Sequence, residues 1–152
     1  MKKSVFEGMV DKAFWDLEAK HGFKKSETKY ADRSVAVRFQ NKTTELLLNY
    51  EIGETPWLEI ADLHNLENKS TLGWLLVELG VDEAPTPAQA FHPTTLEDGK
   101  LEPTLQKMGQ QLREHGGALL DGDFGILPKL QARAKKYDQE CKRYLSIRKS
   151  KS

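Results

Sequence analysis

The sequence predicts an α+β fold: an N-terminal helix, a three- to four-stranded antiparallel meander, then three helices, the last of them long. Two changes of period predict it. Apolar residues recur every three or four positions at the start, alternate every second position between about residues 33 and 63, and return to helical spacing after residue 70. One buried helix face requires the first spacing and one buried strand face the second. Strands joined by short turns pair as hairpins, and helices are then needed to cover the apolar face of the sheet.

Ser4-Val5-Phe6-Glu7 matches a capping box, and Val5, Met9, Val10, Ala13, Phe14 and Leu17 follow at helical spacing, so a first helix is expected over about residues 5–20. Gly22 then Phe23 supplies the stop, glycine taking the left-handed conformation. Phe23 to Tyr30 reads as a weaker first strand. Val35, Val37 and Phe39 alternate with Ser34, Ala36 and Arg38. After a turn at Gln40-Asn41-Lys42, Leu46, Leu48, Tyr50 and Ile52 alternate with Glu45, Leu47, Asn49 and Glu51. Gly53-Glu54-Thr55-Pro56 is a second turn, and Trp57 to Leu63 the next strand. Ser70 is placed to cap a short helix with a Leu72, Leu75, Leu76, Leu79 stripe that ends at Gly80.

Residues 81–99, with Pro85, Pro87 and Pro93, form the one long irregular stretch, the place for a functional loop or a hinge. The chain is expected to be one domain, 1–152, with a subdivision into an α/β half (1–80) and a helical half (100–148) joined by that linker. Leu101, Leu105, Met108 and Leu112 define a helix in which Pro103 is tolerated in the first turn. His115-Gly116-Gly117 ends it. In the final helix Leu127, Leu130, Ala134, Tyr137, Cys141 and Tyr144 form a short heptad seam, and the tail from Ile147 to Ser152 is expected to fray.

Three Trp, four Tyr and six Phe supply core material within a chain that is 38% hydrophobic and 30% charged. The longest apolar run, Trp74-Leu75-Leu76-Val77, falls far short of the roughly 20 residues a membrane-spanning helix needs. The N-terminus has no apolar signal stretch, and a single cysteine, Cys141, rules out an internal disulfide. A cytoplasmic protein with no membrane association is expected.

The net charge of zero hides a segregation. Residues 43–102 carry two Lys/Arg against twelve Asp/Glu, whereas residues 129–152 carry nine against two. Opposite poles of this kind steer partners.

The order of elements, with Trp57-Leu58-Glu59-Ile60, Thr71-Leu72-Gly73-Trp74-Leu75-Leu76 and Leu119-Leu120-Asp121-Gly122-Asp123-Phe124, resembles small uncharacterised bacterial α+β proteins, some of them immunity or accessory proteins of toxin systems. The resemblance implies a bacterial source and a binding role rather than catalysis. It supplies no site residues.

Catalytic and metal-binding readings lose to structural ones. The four histidines are scattered and none sits near Cys141, so zinc-ligand spacing is absent. Asp62-Leu63-His64 with Glu59 could offer ligands, but a solvated strand end accounts for them. Asp121-Gly122-Asp123 opens like a calcium loop, yet Ile126 and Leu130 follow where oxygen ligands are required. A turn glycine beside an aspartate that caps the last helix explains it better. Cys141 lies on the apolar seam, where a thiol packs as a small hydrophobe. No phosphate loop, nucleophile elbow or dinucleotide fingerprint occurs, so no cofactor is expected.

Two surfaces remain. Glu51, Glu54, Trp57, Glu59 and Asp62 are the expected partner-binding set, an acidic face with an aromatic anchor that suits a basic protein partner. Lys135, Lys136, Lys142 and Arg143 form the alternative, an anion-binding stripe suited to nucleic acid. An enzyme with a site at the sheet–helix junction is the third class. The sequence leaves the oligomeric state open.

Overall fold

A computed structural model describes residues 2–92 and 94–150, the side chains of 149 and 150 excepted; Met1, Pro93 and the last two tail residues lie outside it. The elements in order are α1 (Lys3–Ala13), α2 (Asp16–His21), β1 (Lys24–Tyr30), β2 (Ser34–Gln40), β3 (Thr44–Glu51), β4 (Trp57–Asp62), β5 (Asn65–Thr71), α3 (Leu72–Leu79), α4 (Pro87–Phe91), α5 (Leu101–His115), α6 (Gly117–Leu120) and α7 (Leu127–Ser150). The strands form an antiparallel meander in the order β1-β2-β3-β4-β5.

The predicted alternation is what buries one face of this sheet. Val37, Leu48 and Leu58 stand side by side across β2, β3 and β4, as do Phe39, Leu46 and Ile60, and all six are buried. The helices close this face, and one continuous core takes residues from Phe6 in α1 to Leu130 in α7. The opposite face of the central strands carries Ala36, Arg38, Glu45, Leu47, Asn49, Trp57 and Glu59.

Five strands form rather than three or four. The extra one, β5, is polar along both sides and only Ser70 is buried on it, so no alternation betrays it. It holds as an edge strand because Gln131 of α7 donates to the carbonyls of Glu67 (3.0 Å) and Lys69 (2.9 Å), occupying an edge that would otherwise invite another chain. Ser70 is therefore a strand residue, and the cap of α3 is Thr71, whose hydroxyl accepts from Trp74 N–H.

The expected first helix is two. α1 begins two residues earlier than the capping box requires, at Lys3, with no side-chain cap, and the chain breaks at Phe14-Trp15 before α2. The break frees the Ala13 carbonyl, which accepts from Arg113 Nη1 at 3.0 Å. It also buries Asp16, whose Oδ1 meets the same guanidinium at 3.3 Å. Gly109 makes the approach of α5 possible: a Cβ there would lie 2.0 Å from the Ala13 oxygen. Trp15 is turned outward, 59% exposed, between Lys20 and Arg113.

Four further departures lie in the second half. The 81–99 stretch contains α4, closed by a capping box between Thr86 and Gln89. Ala118-Leu119-Leu120 belongs to a short helix, α6, instead of a plain link. Asp121 meets His21 Nδ1 at 2.9 Å, and Asp123 accepts from Gly125 N–H. α7 stays helical to Ser150, past the point where fraying was expected.

The turn between β2 and β3 is tied down by one side chain. Asn41 Oδ1 accepts from the N–H groups of Thr43 (3.0 Å) and Thr44 (2.7 Å), while its Nδ2 donates to the carbonyls of His21 (2.9 Å) and Leu120 (3.0 Å). The ends of α2 and α6 are thereby fastened to the sheet.

Candidate interaction surface

The open face of the sheet brings some of the expected partner-binding residues together and separates others. The register places Asn49 beside Trp57 and Leu47 beside Glu59, while β2 contributes Ser34 opposite Glu51 and Ala36 opposite Asn49. Trp57, Glu59 and Glu51 therefore share the open face. Glu54 follows in the β3–β4 turn. Asp62 stands at the far end of β4, where its Oδ1 accepts from His64 N–H at 2.9 Å and shapes the turn into β5.

Charge on this face is less acidic than the chain segment suggests, because cations on neighbouring strands meet the carboxylates. Glu45 is buried and takes hydrogen bonds from Arg38 Nη1 (2.9 Å) and Gln40 Nε2 (2.8 Å). Glu59 pairs with Lys69 at 3.0 Å. A partly exposed pair such as Glu59–Lys69 contributes little stability, but it cancels local potential. The uncancelled charge sits at one corner. The 94–98 segment lies against the β3–β4 turn, with Thr55 N–H donating to the Thr94 carbonyl (2.7 Å) and Leu96 N–H to the Gly53 carbonyl (2.9 Å). That places Glu97 and Asp98 near Glu51 and Glu54, and none of the four forms an ion pair among the described residues. Ile52, 50% exposed, stands in the same turn.

Trp57 is partly exposed between two hollows. One, of about 440 Å³, is lined by Lys29, Ser34, Ala36, Asn49, Glu51 and Trp57 among others. The second, of about 520 Å³, runs between β4, β5 and α4, with Glu59, Lys69, Thr71, Phe91 and Gln131 around it. Phe91 and Trp74 line it, and Tyr137 packs against both rings, 5.3 Å from Phe91 and 6.1 Å from the buried Trp74. Trp74 itself belongs to the core. The hydrogen bond to Cys141, with burial second, holds the Tyr137 hydroxyl above its ordinary pKa.

The basic residues of α7 divide. Lys129 and Arg133 pair with Glu78 of α3. Lys142 pairs with Asp138 one turn away at 3.0 Å, while Lys135, Lys136 and Arg143 are exposed and form no ion pair among the described residues. Beyond the body the seam continues through Cys141 to Tyr144, 64% exposed, with Leu145 beside it.

Among the described residues no group of three or more His, Cys, Asp or Glu is placed to hold a metal ion. His64 turns its Nε2 to the Lys42 carbonyl and Glu59 turns to Lys69, so the ligand set considered at this strand end does not assemble. No described helix is long and apolar enough to cross a membrane.

Glu97, Asp98, Phe91 and Gln131 were not visible as site residues in the sequence. They reach the surface through contacts between distant segments, for which a single chain carries no local signal. Comparison of the chain with protein-family models, with curated proteins and with solved structures found no match.

Proposed function

We propose that the protein is a non-enzymatic interaction module that engages a basic protein partner through Trp57 and the acidic corner of Glu51, Glu54, Glu97 and Asp98. The observation that carries the reading is the position of Trp57, partly exposed on an uncovered sheet face between two hollows. A partly exposed Trp in a concave setting is the side chain that most often dominates an interface. Unpaired carboxylates beside it accelerate encounter with a positive partner. The resemblance to bacterial immunity-like proteins supports the same role, and the single cysteine fits work in the cytoplasm.

Nucleic-acid binding by α7 has less support, because Lys142 of the expected stripe is paired with Asp138 and the neighbouring Lys129 and Arg133 are engaged by Glu78, which leaves Lys135, Lys136 and Arg143 as its exposed unpaired cations among the described residues.

The test is capture of partners from the source cell on immobilised protein, with wild type and Trp57→Ala compared by mass spectrometry. The reading expects a basic protein retained by the wild type, lost with Trp57→Ala and released by salt. Retention that is indifferent to Trp57, and to Glu51→Lys with Glu54→Lys, overturns it.

A further inference from the structure

We infer that the hollow between Glu51 and Trp57 receives an arginine side chain of the partner; this deepens the function proposed above and rests on it. The register makes the slot. Ser34 and Ala36, two small residues in succession on the open face of β2, form its floor, since larger side chains there would fill it. Asn49 and Glu51 rise from β3 on one side, and Trp57 stands beyond them on β4.

The chemistry selects a cation. Glu51 is exposed and without an ion pair among the described residues, and Lys29, the cation on the rim, is drawn to Glu27 at 3.4 Å. A guanidinium is flat, stacks on an indole and gives a carboxylate two parallel N–H donors, whereas an ammonium offers a strongly hydrated point charge. An indole face and a carboxylate in one slot therefore favour arginine over lysine, with stacking and charge acting on the same group. The Asn49 side chain adds a carbonyl oxygen able to accept a further N–H.

The test uses the full-length protein and two probes, Nα-acetyl-arginine amide and Nα-acetyl-lysine amide, followed by backbone and indole N–H NMR shifts. Saturable shifts at Trp57 and Glu51 with the arginine probe are expected, weakened about fivefold or more by Trp57→Ala or Glu51→Gln. Ala36→Leu, which fills the floor and leaves both chemical groups in place, is expected to weaken binding as much, and Glu140→Gln, exposed on α7 and outside every proposed contact, to change it less than twofold. Absent or unsaturable shifts, equal response to both probes, or indifference to Ala36→Leu overturn the inference. The two readings separate cleanly: a partner that needs Trp57 while the arginine probe leaves the slot unshifted removes only the arginine assignment.

Discussion

Glu54 pairs with Thr95 in an isolated antiparallel bridge, so a turn of the sheet and a segment about 40 residues later in the chain form one surface. The bridge turns scattered carboxylates into a corner. It predicts that the amide of Leu96, within a stretch that reads as irregular, exchanges with solvent much more slowly than its neighbours at Glu97 and Asp98. Hydrogen exchange followed by NMR measures this directly, and fast exchange at Leu96 would mean that the 94–98 segment is not fastened to the sheet.

The two tryptophans of the β4–α3 region should behave oppositely. Trp74→Ala removes a buried ring and is expected to cost about 3–5 kcal/mol in urea unfolding. Trp57→Ala, on the open face, is expected to cost about 1 kcal/mol or less while abolishing partner capture. Equal stability losses for both would show that Trp57 is a packing residue.

Asn41 joins a turn to two helix ends. Asn41→Ala leaves the carbonyls of His21 and Leu120 and the Thr44 N–H without their partners, at an expected cost of about 2–3 kcal/mol. Asn41→Asp keeps the acceptor and loses both donors, so it should recover only part of that loss. Full recovery would assign the stability to the turn alone.

Gly109 and Gly8 provide a paired test of the α1–α5 contact. At Gly8 an added Cβ meets nothing within 4 Å, and Gly8→Ala in the interior of α1 should stabilise by about 0.5–1 kcal/mol. Gly109→Ala drives a methyl into the Ala13 carbonyl and should destabilise by about 3 kcal/mol, the upper range for overpacking. Thermal melts of the two variants moving in the same direction would contradict this packing.

Arg113 compensates the buried Asp16. Arg113→Met is expected to cost about 3–5 kcal/mol because it strands a carboxylate in the core. Adding Asp16→Asn should return much of it, and a double variant no more stable than the single one would place the cost elsewhere.

Much of the fold was legible because helices and strands that bury one face must repeat with fixed periods. The stops at Gly22 and Gly80 were legible for a similar local reason, both having the positive φ that glycine tolerates. The broken first helix was not. Phe14 and Leu17 keep helical spacing across the break, and only the approach of Gly109 and Arg113 makes the interruption favourable. The acidic face was legible as composition and misleading as electrostatics, since Glu45 and Glu59 are neutralised by Arg38 and Lys69 from neighbouring strands.

By itself the sequence determined the kinds of element, their order and the buried side of the central strands, because each follows from residues close together in the chain. Tertiary structure alone decided that Asn65–Thr71 is a strand, that Asp62 stands apart from Trp57, and that Glu97 joins Glu51. Hydrogen bonding along an edge and the cancellation of charge depend on which distant segments meet, and local periodicity carries no record of those meetings.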